Sequence, residues 1–405
     1  MSILREISPT AGIPIYLKDI LGIFAKKSQG SLEEAFKEYL SSPYARLTCS
    51  GTVAFYLILE SLKKISSKKT VVIPSFVCPL VCLAIQRAGL KFLVCDIDKG
   101  DFNFNPKHLS TICANNPDIL AIVPVHLAGI PIDFNFIATL AKKYNIFTIE
   151  DCAQSLGALY KGKQTGTLGD FAFFSLCRGK GLTIYEGGMI TCHNKEHSRI
   201  IDQTLNCFLK NDLFAETLKT LEILGYWLIY RPRLFWWAYQ LPRLFWEIQN
   251  QPLRAAAESY AVNFPVHKVW RIRDLIGYSG FHRLEEEIRN QRQKAGYYIE
   301  NLKNIPGLNL ITEKAGDKAN YPYLTVVFDD PEKCQKARRL FKNSGLGIAQ
   351  VYLCAITEYD YLKNMLGGQS APSAESLARR QISLSTNAFL KKNDLDIIIT
   401  KIRKL

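Results

Sequence analysis

The feature that most constrains this chain is a series of short runs, apolar on both faces, alternating with helix-spaced segments between about residues 31 and 194. VVIPSF (71–76), KFLVCDID (91–98), DILAIVPVH (118–126), NIFTIEDCA (145–153), DFAFFSL (170–176) and GGMITCH (187–193) read as strands with no polar face. Residues 32–40, 52–62, 79–89 and 134–145 carry apolar side chains at helical spacing. Strands buried on both sides need a covering layer on each side, and the intervening helices supply it. The pattern therefore predicts an α/β fold built on a mostly parallel sheet. In such sheets ligands sit at the carboxyl ends of the strands. From about Gly277 the pattern changes to a long charged helix (282–305), a strand (321–328), a helix (331–345), a strand (347–353) and a last helix (393–405). The expected division is a large part over 1–275, with an atypical stretch at about 205–265, and a smaller α+β part over 276–405.

With 48% hydrophobic and 22% charged residues, the chain is globular and can bury a large core. Its 51 Lys and Arg against 37 Asp and Glu leave a formal charge of +14, which suits an anionic partner. No basic-and-aromatic recognition module or helix-turn-helix pattern supports nucleic acid as that partner. The eleven cysteines form no CxxC pair, and Cys78 and Cys82 have no further ligands at zinc spacing. They read as buried thiols in a reducing compartment, with no metal site. No signal peptide and no spanning helix is evident, so a cytoplasmic location is expected.

Four segments carry the chemistry. CSGTVAF (49–55) puts Ser-Gly-Thr at a helix start, where N–H groups and the positive dipole end attract phosphate; an ordinary N-cap reads the same way. Asp151 ends a strand in FTIEDCAQS, with Gln154 three positions on. Its carboxylate there is costly unless it meets a cation, or it merely caps a helix. FFSLCRGKG (173–181) ends a strand at Ser175 and presents Lys180 from a turn, although a loop lysine is usually just solvated. Tyr185-Glu186-Gly187-Gly188 opens the next strand with two glycines that permit close backbone approach, or it is a plain turn. Jointly, the four suit a pyridoxal-phosphate enzyme. Such an enzyme needs a lysine amine to bond the cofactor, a carboxylate to keep the pyridine nitrogen protonated, and a phosphate cradle at a helix N-terminus.

The ordered set Ser-Gly-Thr, Glu-Asp-x-Ala-Gln, Ser-x4-Lys and Glu-Gly-Gly resembles the DegT/DnrJ/StrS sugar aminotransferases, which have the fold type I, aspartate-aminotransferase-like architecture. SGTVAFYLILESL, VPVHLAGIPIDF, TIEDCAQSLGALYKGKQTGTLGDFAFFS and KGLTIYEGGMIT carry the resemblance, and RIRDLIG and QISLSTNAFLKKNDLDII extend it. The resemblance implies that Lys180 bonds pyridoxal 5′-phosphate and Asp151 pairs with its ring nitrogen. It also implies that Gln154 lies near the ring hydroxyl, and that Gly51, Thr52 and Ser175 contact the phosphate. It implies a homodimer that moves an amino group, usually from glutamate, to a keto-sugar, usually nucleotide-linked, for cell-surface polysaccharide or glycan synthesis. Three positions depart from the family. Cys78 stands where an aromatic ring stacks on the cofactor, leaving stacking to a residue such as Phe76. Val269 replaces a partner-reaching asparagine, and QVYLCAI replaces a His-Tyr-Pro. A non-catalytic scaffold of the same fold would tolerate these changes. A sugar dehydratase relative would carry histidine in place of Lys180.

Residues 226–246, YWLIYRPRLFWWAYQLPRLFW, hold four of the five tryptophans, five further aromatics, three arginines and no acid, with PRLFW repeated at 232–236 and 242–246. Two prolines are expected to break any single helix here. Aromatics with arginines suit the headgroup level of a bilayer, which would make the protein peripheral at the inner face of the membrane. The same composition also suits a helical insert packed on a partner subunit or over the mouth of the site.

Overall fold

The computed structural model describes residues 4–22 and 30–405. Its strands are β1 (Tyr44–Thr48), β2 (Thr70–Pro74), β3 (Lys91–Cys95), β4 (Ile119–Ile122), β5 (Phe147–Asp151), β6 (Leu159–Tyr160), β7 (Lys163–Gln164), β8 (Phe171–Ser175), β9 (Gly188–Cys192), β10 (Leu308–Ile311), β11 (Tyr323–Phe328), β12 (Ile348–Ala349) and β13 (Gln381–Ser385). Seven of them form one sheet in the order β1-β9-β8-β5-β4-β2-β3. Its five strands from β8 to β3 are parallel, and β9 runs antiparallel to both β8 and β1. The α/β fold with a mostly parallel sheet is as the apolar runs predict. β4 and β9 are buried at every position, as strands covered on both faces must be.

The carboxyl ends of β5 and β8 bring Asp151 and Ser175 to one edge of the sheet. The helix Gly51–Leu62, buried along nearly its whole length, points its N-terminus at that edge. A second, antiparallel sheet, β10-β11-β13-β12, carries the C-terminal part. One apolar cluster runs unbroken from Ile73 and Val123 near the first sheet to Leu324 and Leu384 in the second. The N-terminal segment joins the second sheet as well: Ser385 Oγ donates to Ser8 O at 2.7 Å, and Arg5 pairs with Asp394 at 2.8 Å. The strand expected over 347–353 shrinks to β12. Beyond it Val351 N–H donates to the Gln381 side chain rather than to a ladder partner. All eleven cysteines are free, and seven of them are buried.

The stretch 205–265 is mostly helical up to Ile248 and largely irregular beyond it. Leu213–Ile229 is one helix, and residues 232–248 form a second that runs through Pro242 without a break. The expectation that prolines break the segment holds at Pro232, ahead of which the first helix ends, and fails at Pro242, which the second helix runs through. Pro232 occupies the first helical turn, where no N–H is required. Trp236–Gln240 form a π turn just ahead of Pro242, whose wider winding relieves the clash a proline ring makes with the carbonyl four residues back. The aromatic repeat divides by side. Tyr226 stacks on Tyr230 (4.6 Å) and Phe235 on Tyr239 (5.0 Å), facing inward, whereas Trp237 and Phe245 are exposed.

Candidate active site

Asp151 is 5% exposed. One of its oxygens accepts the Ala153 N–H at 2.9 Å, and the other accepts no hydrogen bond from the described residues. Burial pushes its carboxyl up to about 6, against the pull of the Ala153 N–H, Lys180 and His126. A buried carboxylate with one oxygen open is a receptor for a cation or a protonated nitrogen. The neighbouring Glu150 has no such vacancy. It accepts from Gly166, Leu168 and Gly169 N–H at 2.7–2.9 Å and faces His126 Nε2 at 3.1 Å. His126, Glu150 and Cys152 therefore form a satisfied structural cluster rather than a vacant ligand set, although they lie close together.

Lys180 projects from the turn after β8, its backbone N–H held by Cys177 O at 3.1 Å. Gly179 takes φ +75° there, and a Cβ at that position would sit 2.5 Å from Thr10 Oγ1, so the turn is pinned against the N-terminal segment. The Lys180 ammonium acts electrostatically on both Asp151 and Cys78. Cys78 precedes the helix Pro79–Arg87, and burial pushes its thiol up to about 11, which keeps it neutral. Lys180, Asp151 and Cys78, far apart in sequence, thus lie within electrostatic reach of one another.

The helix Gly51–Leu62 is capped by Ser50, whose Oγ accepts the Val53 N–H at 3.1 Å. The N–H groups of Gly51 and Thr52, and the hydroxyls of Thr52 and Ser175, donate to no acceptor among the described residues. A Cβ on Gly51 would stand 3.0 Å from Ser175 Cβ, and one on Gly188 would stand 2.4 Å from Ser50 O. The two glycines let the strand ends close around the helix N-terminus, leaving a cradle of donors for a dianion. Gln154 Oε1 accepts from Ala128 N–H (3.0 Å) and from the Tyr323 hydroxyl (2.7 Å), which ties β11 of the second sheet to the site.

Residues absent from the sequence reading complete the surroundings. Tyr323 is one, and Tyr352 another: burial holds its hydroxyl well above the usual range, with Cys78, Tyr323 and Asp151 as electrostatic neighbours. Tyr352 sits inside QVYLCAI, the segment that stands in place of the family's His-Tyr-Pro. Glu258 is buried, accepts from the Tyr359 hydroxyl at 2.7 Å and from Leu353 N–H, and acts on Cys78. It belongs to the end of the insert, where no motif marks it. Phe76, in contrast, is committed to the core, stacked on Phe102 with centroids 6.2 Å apart. Val269 packs against both main apolar clusters.

The inner side of the insert walls a cavity of about 850 Å³ that reaches Arg178 and Gly179 beside Lys180. Its first helix is anchored by a buried ion pair. Glu216 Oε2 accepts from Trp270 N–H (2.7 Å) and Arg273 Nε (3.0 Å), and its Oε1 meets Arg273 Nη2 and His267 Nδ1 (3.0 Å). Arg273 also donates to Ile184 O and Glu186 O in the segment joining Lys180 to β9.

A lysine within electrostatic reach of a buried carboxylate, beside a donor-lined cradle at the carboxyl edge of a parallel sheet, suits a group-transfer enzyme with an aldehyde-bearing phosphate cofactor. The chain belongs to the DegT/DnrJ/EryC1/StrS aminotransferase family, whose pattern matches residues 24–226 and 266–403. It is 25% identical over 406 residues to the UDP-4-amino-4,6-dideoxy-N-acetyl-beta-L-altrosamine transaminase of Campylobacter jejuni subsp. jejuni serotype O:23/36, covering 96% of this chain and 94% of that one. It is 36% identical over 163 residues to the GDP-perosamine synthase of Escherichia coli O157:H7, a match covering 40% of this chain and 44% of that protein. Among solved structures, PseC of Helicobacter pylori, an aminotransferase involved in the biosynthesis of pseudoaminic acid, shares the fold with TM-score 0.76 at 18% identity, over 99% of both chains.

Proposed function

We propose that this protein is a pyridoxal 5′-phosphate-dependent aminotransferase that moves an amino group, from glutamate, onto a keto-sugar carried by a nucleotide, for polysaccharide or glycan synthesis. The observation that carries the reading is the open oxygen of buried Asp151, turned to the site that Lys180 shares. When bound, the cofactor supplies an electron sink that lets an amino group leave one carbon skeleton and join another. Gly51 and Thr52 N–H groups, with the Thr52 and Ser175 hydroxyls, would hold its phosphate. Asp151, ionised, would keep the ring nitrogen protonated. Gln154, oriented by Tyr323, would stand near the ring hydroxyl. The neutral Cys78 thiol would pack where relatives of this family use an aromatic ring, with Tyr352 as the nearby aromatic. The Lys180 amine would bond the cofactor at rest and, once released, carry the proton between the substrate carbon and its neighbour. The chain acts as a homodimer in the cytoplasm on this reading, with the two parts dividing near residue 275.

Lys180 disfavours the dehydratase reading, and the open donors of the cradle disfavour a scaffold without cofactor. Borohydride reduction followed by peptide mapping is the test: the cofactor should be fixed on the peptide containing Lys180. Glutamate should bleach the cofactor's visible absorbance in wild type but not in Lys180→Ala. A label on a different lysine, or no absorbance change with any amino donor, would overturn the reading.

A further inference from the structure

The family pattern leaves residues 227–265, and with them the second helix of the insert, unmatched. The two insert helices present apolar side chains outward. Phe214, Leu221 and Leu228 recur at seven-residue intervals on the first helix, and Trp237, Phe245 and Ile248 lie on the second. Their exposure runs from 54% for Trp237 to 82% for Ile248, far beyond what scattered surface leucines require. No helix among the described residues is long and apolar enough to cross a membrane.

We infer that these two helices dock the enzyme on an anionic lipid bilayer, lying in its surface. The charges around the face decide the occupant. Each acid of the two helices is already neutralised: Glu216 by Arg273, Glu222 by Lys219 and Glu247 by Arg243 and Lys342. Arg233 on the second helix is exposed and meets no carboxylate among the described residues; Arg254 sits over the Trp246 ring and lines the cavity on the inner side. A second copy seated on this face would offer Arg233 no free acid of the two helices. Headgroup phosphates would pair with it while the acyl region takes up the leucines, tryptophan and phenylalanine. Such a surface helix carries its apolar residues outward and its anchoring groups inward. Here the inner side holds Tyr226, Tyr230, Phe235 and Tyr239 against the body of the protein. That same side walls the cavity beside Lys180, so docking would set the site one helix thickness from the lipid.

The test is co-sedimentation of the full-length holoenzyme with vesicles of phosphatidylcholine and phosphatidylglycerol, and with pure phosphatidylcholine vesicles, at low and high salt. Binding should require the anionic lipid and weaken with salt without vanishing, since apolar burial persists where screening removes attraction. The variant Leu221→Gln, Leu228→Gln, Trp237→Gln and Phe245→Gln changes only exposed positions that do not line the cavity. It should lose vesicle binding by roughly tenfold or more while keeping its cofactor absorbance. Wild type that ignores anionic vesicles, or a variant that still sediments, would overturn the inference. A variant that drops from a larger to a smaller oligomer would also overturn it, because a second copy would then be what covers the face.

Discussion

Replacing Glu216 with glutamine tests how the insert is fastened to the segment that follows Lys180. The substitution keeps the shape and removes the charge, leaving Arg273, fully buried, with no anion. An amide also offers an N–H₂ group to neighbours that only donate: Trp270 N–H and the guanidinium. Breaking a buried pair in this way costs about 3–5 kcal/mol. The carboxyl itself gives a matching scale. Burial alone would raise its pKa, yet hydrogen bonds from His267, Arg273 and Trp270 N–H carry it down to about 2. A depression of that size corresponds to roughly 3 kcal/mol. Because the folded-state value lies below the unfolded one, this stabilisation is fully present above about pH 4.5 and is lost as pH falls toward about 2. Urea unfolding of wild type and Glu216→Gln at neutral pH should differ by about 3–5 kcal/mol, and the gap should close as the pH is lowered through that window. The double variant Glu216→Leu with Arg273→Met should recover most of the loss, since an apolar pair of similar volume removes the stranded charge. A cost below about 1 kcal/mol, the scale of an exposed pair, or a gap that does not change with pH, would refute the assignment of this pair as the anchor.

The remaining predictions concern the site. Cofactor affinity should fall as pH drops below about 6, because Asp151 then takes up a proton and ceases to be an anion for the ring nitrogen; absorbance titration with the cofactor reads this directly. Asp151→Asn should remove that pH dependence and lower turnover by several powers of ten, and near-normal turnover would make Asp151 a mere cap. Gly188→Ala should abolish cofactor binding while the protein still folds, since its new Cβ would press on Ser50 O and Gly51 N at 2.4 and 2.6 Å and push the helix N-terminus off the strand; unchanged absorbance would show that the cradle does not need this contact.

The sheet was legible because its physics is local. A strand buried on both faces is a run of apolar residues; β3, β4, β5, β8 and β9 all lie within the predicted segments, and β2 starts one residue ahead of its own. β1 was not, because YARLT is half polar and pairs at the sheet edge only with β9; Arg46 and Leu47 are partly exposed. β10 was missed for the same reason, with Asn309 facing solvent. The insert failed in a different way. Proline is a breaker where the i to i−4 ladder is tight, and a π turn of five residues ahead of Pro242 loosens it, a compensation that no residue spacing announces.

Within the site the division follows chain geometry. Gly51, Thr52, Asp151, Gln154, Ser175 and Lys180 lie at element ends, where a residue type has few purposes, and each could be named from its neighbours in sequence. Tyr323, Tyr352 and Glu258 arrive from the second sheet and the insert, and their role depends only on where those elements cross the first sheet. Arg273 shows why this matters. It touches neither Asp151 nor Lys180, and it stands one turn inside an ordinary amphipathic helix. Yet it joins the first insert helix, through Glu216, to the carbonyls of Ile184 and Glu186 that follow the Lys180 turn. The first insert helix is thus fixed, through one buried ion pair, to the segment that follows Lys180.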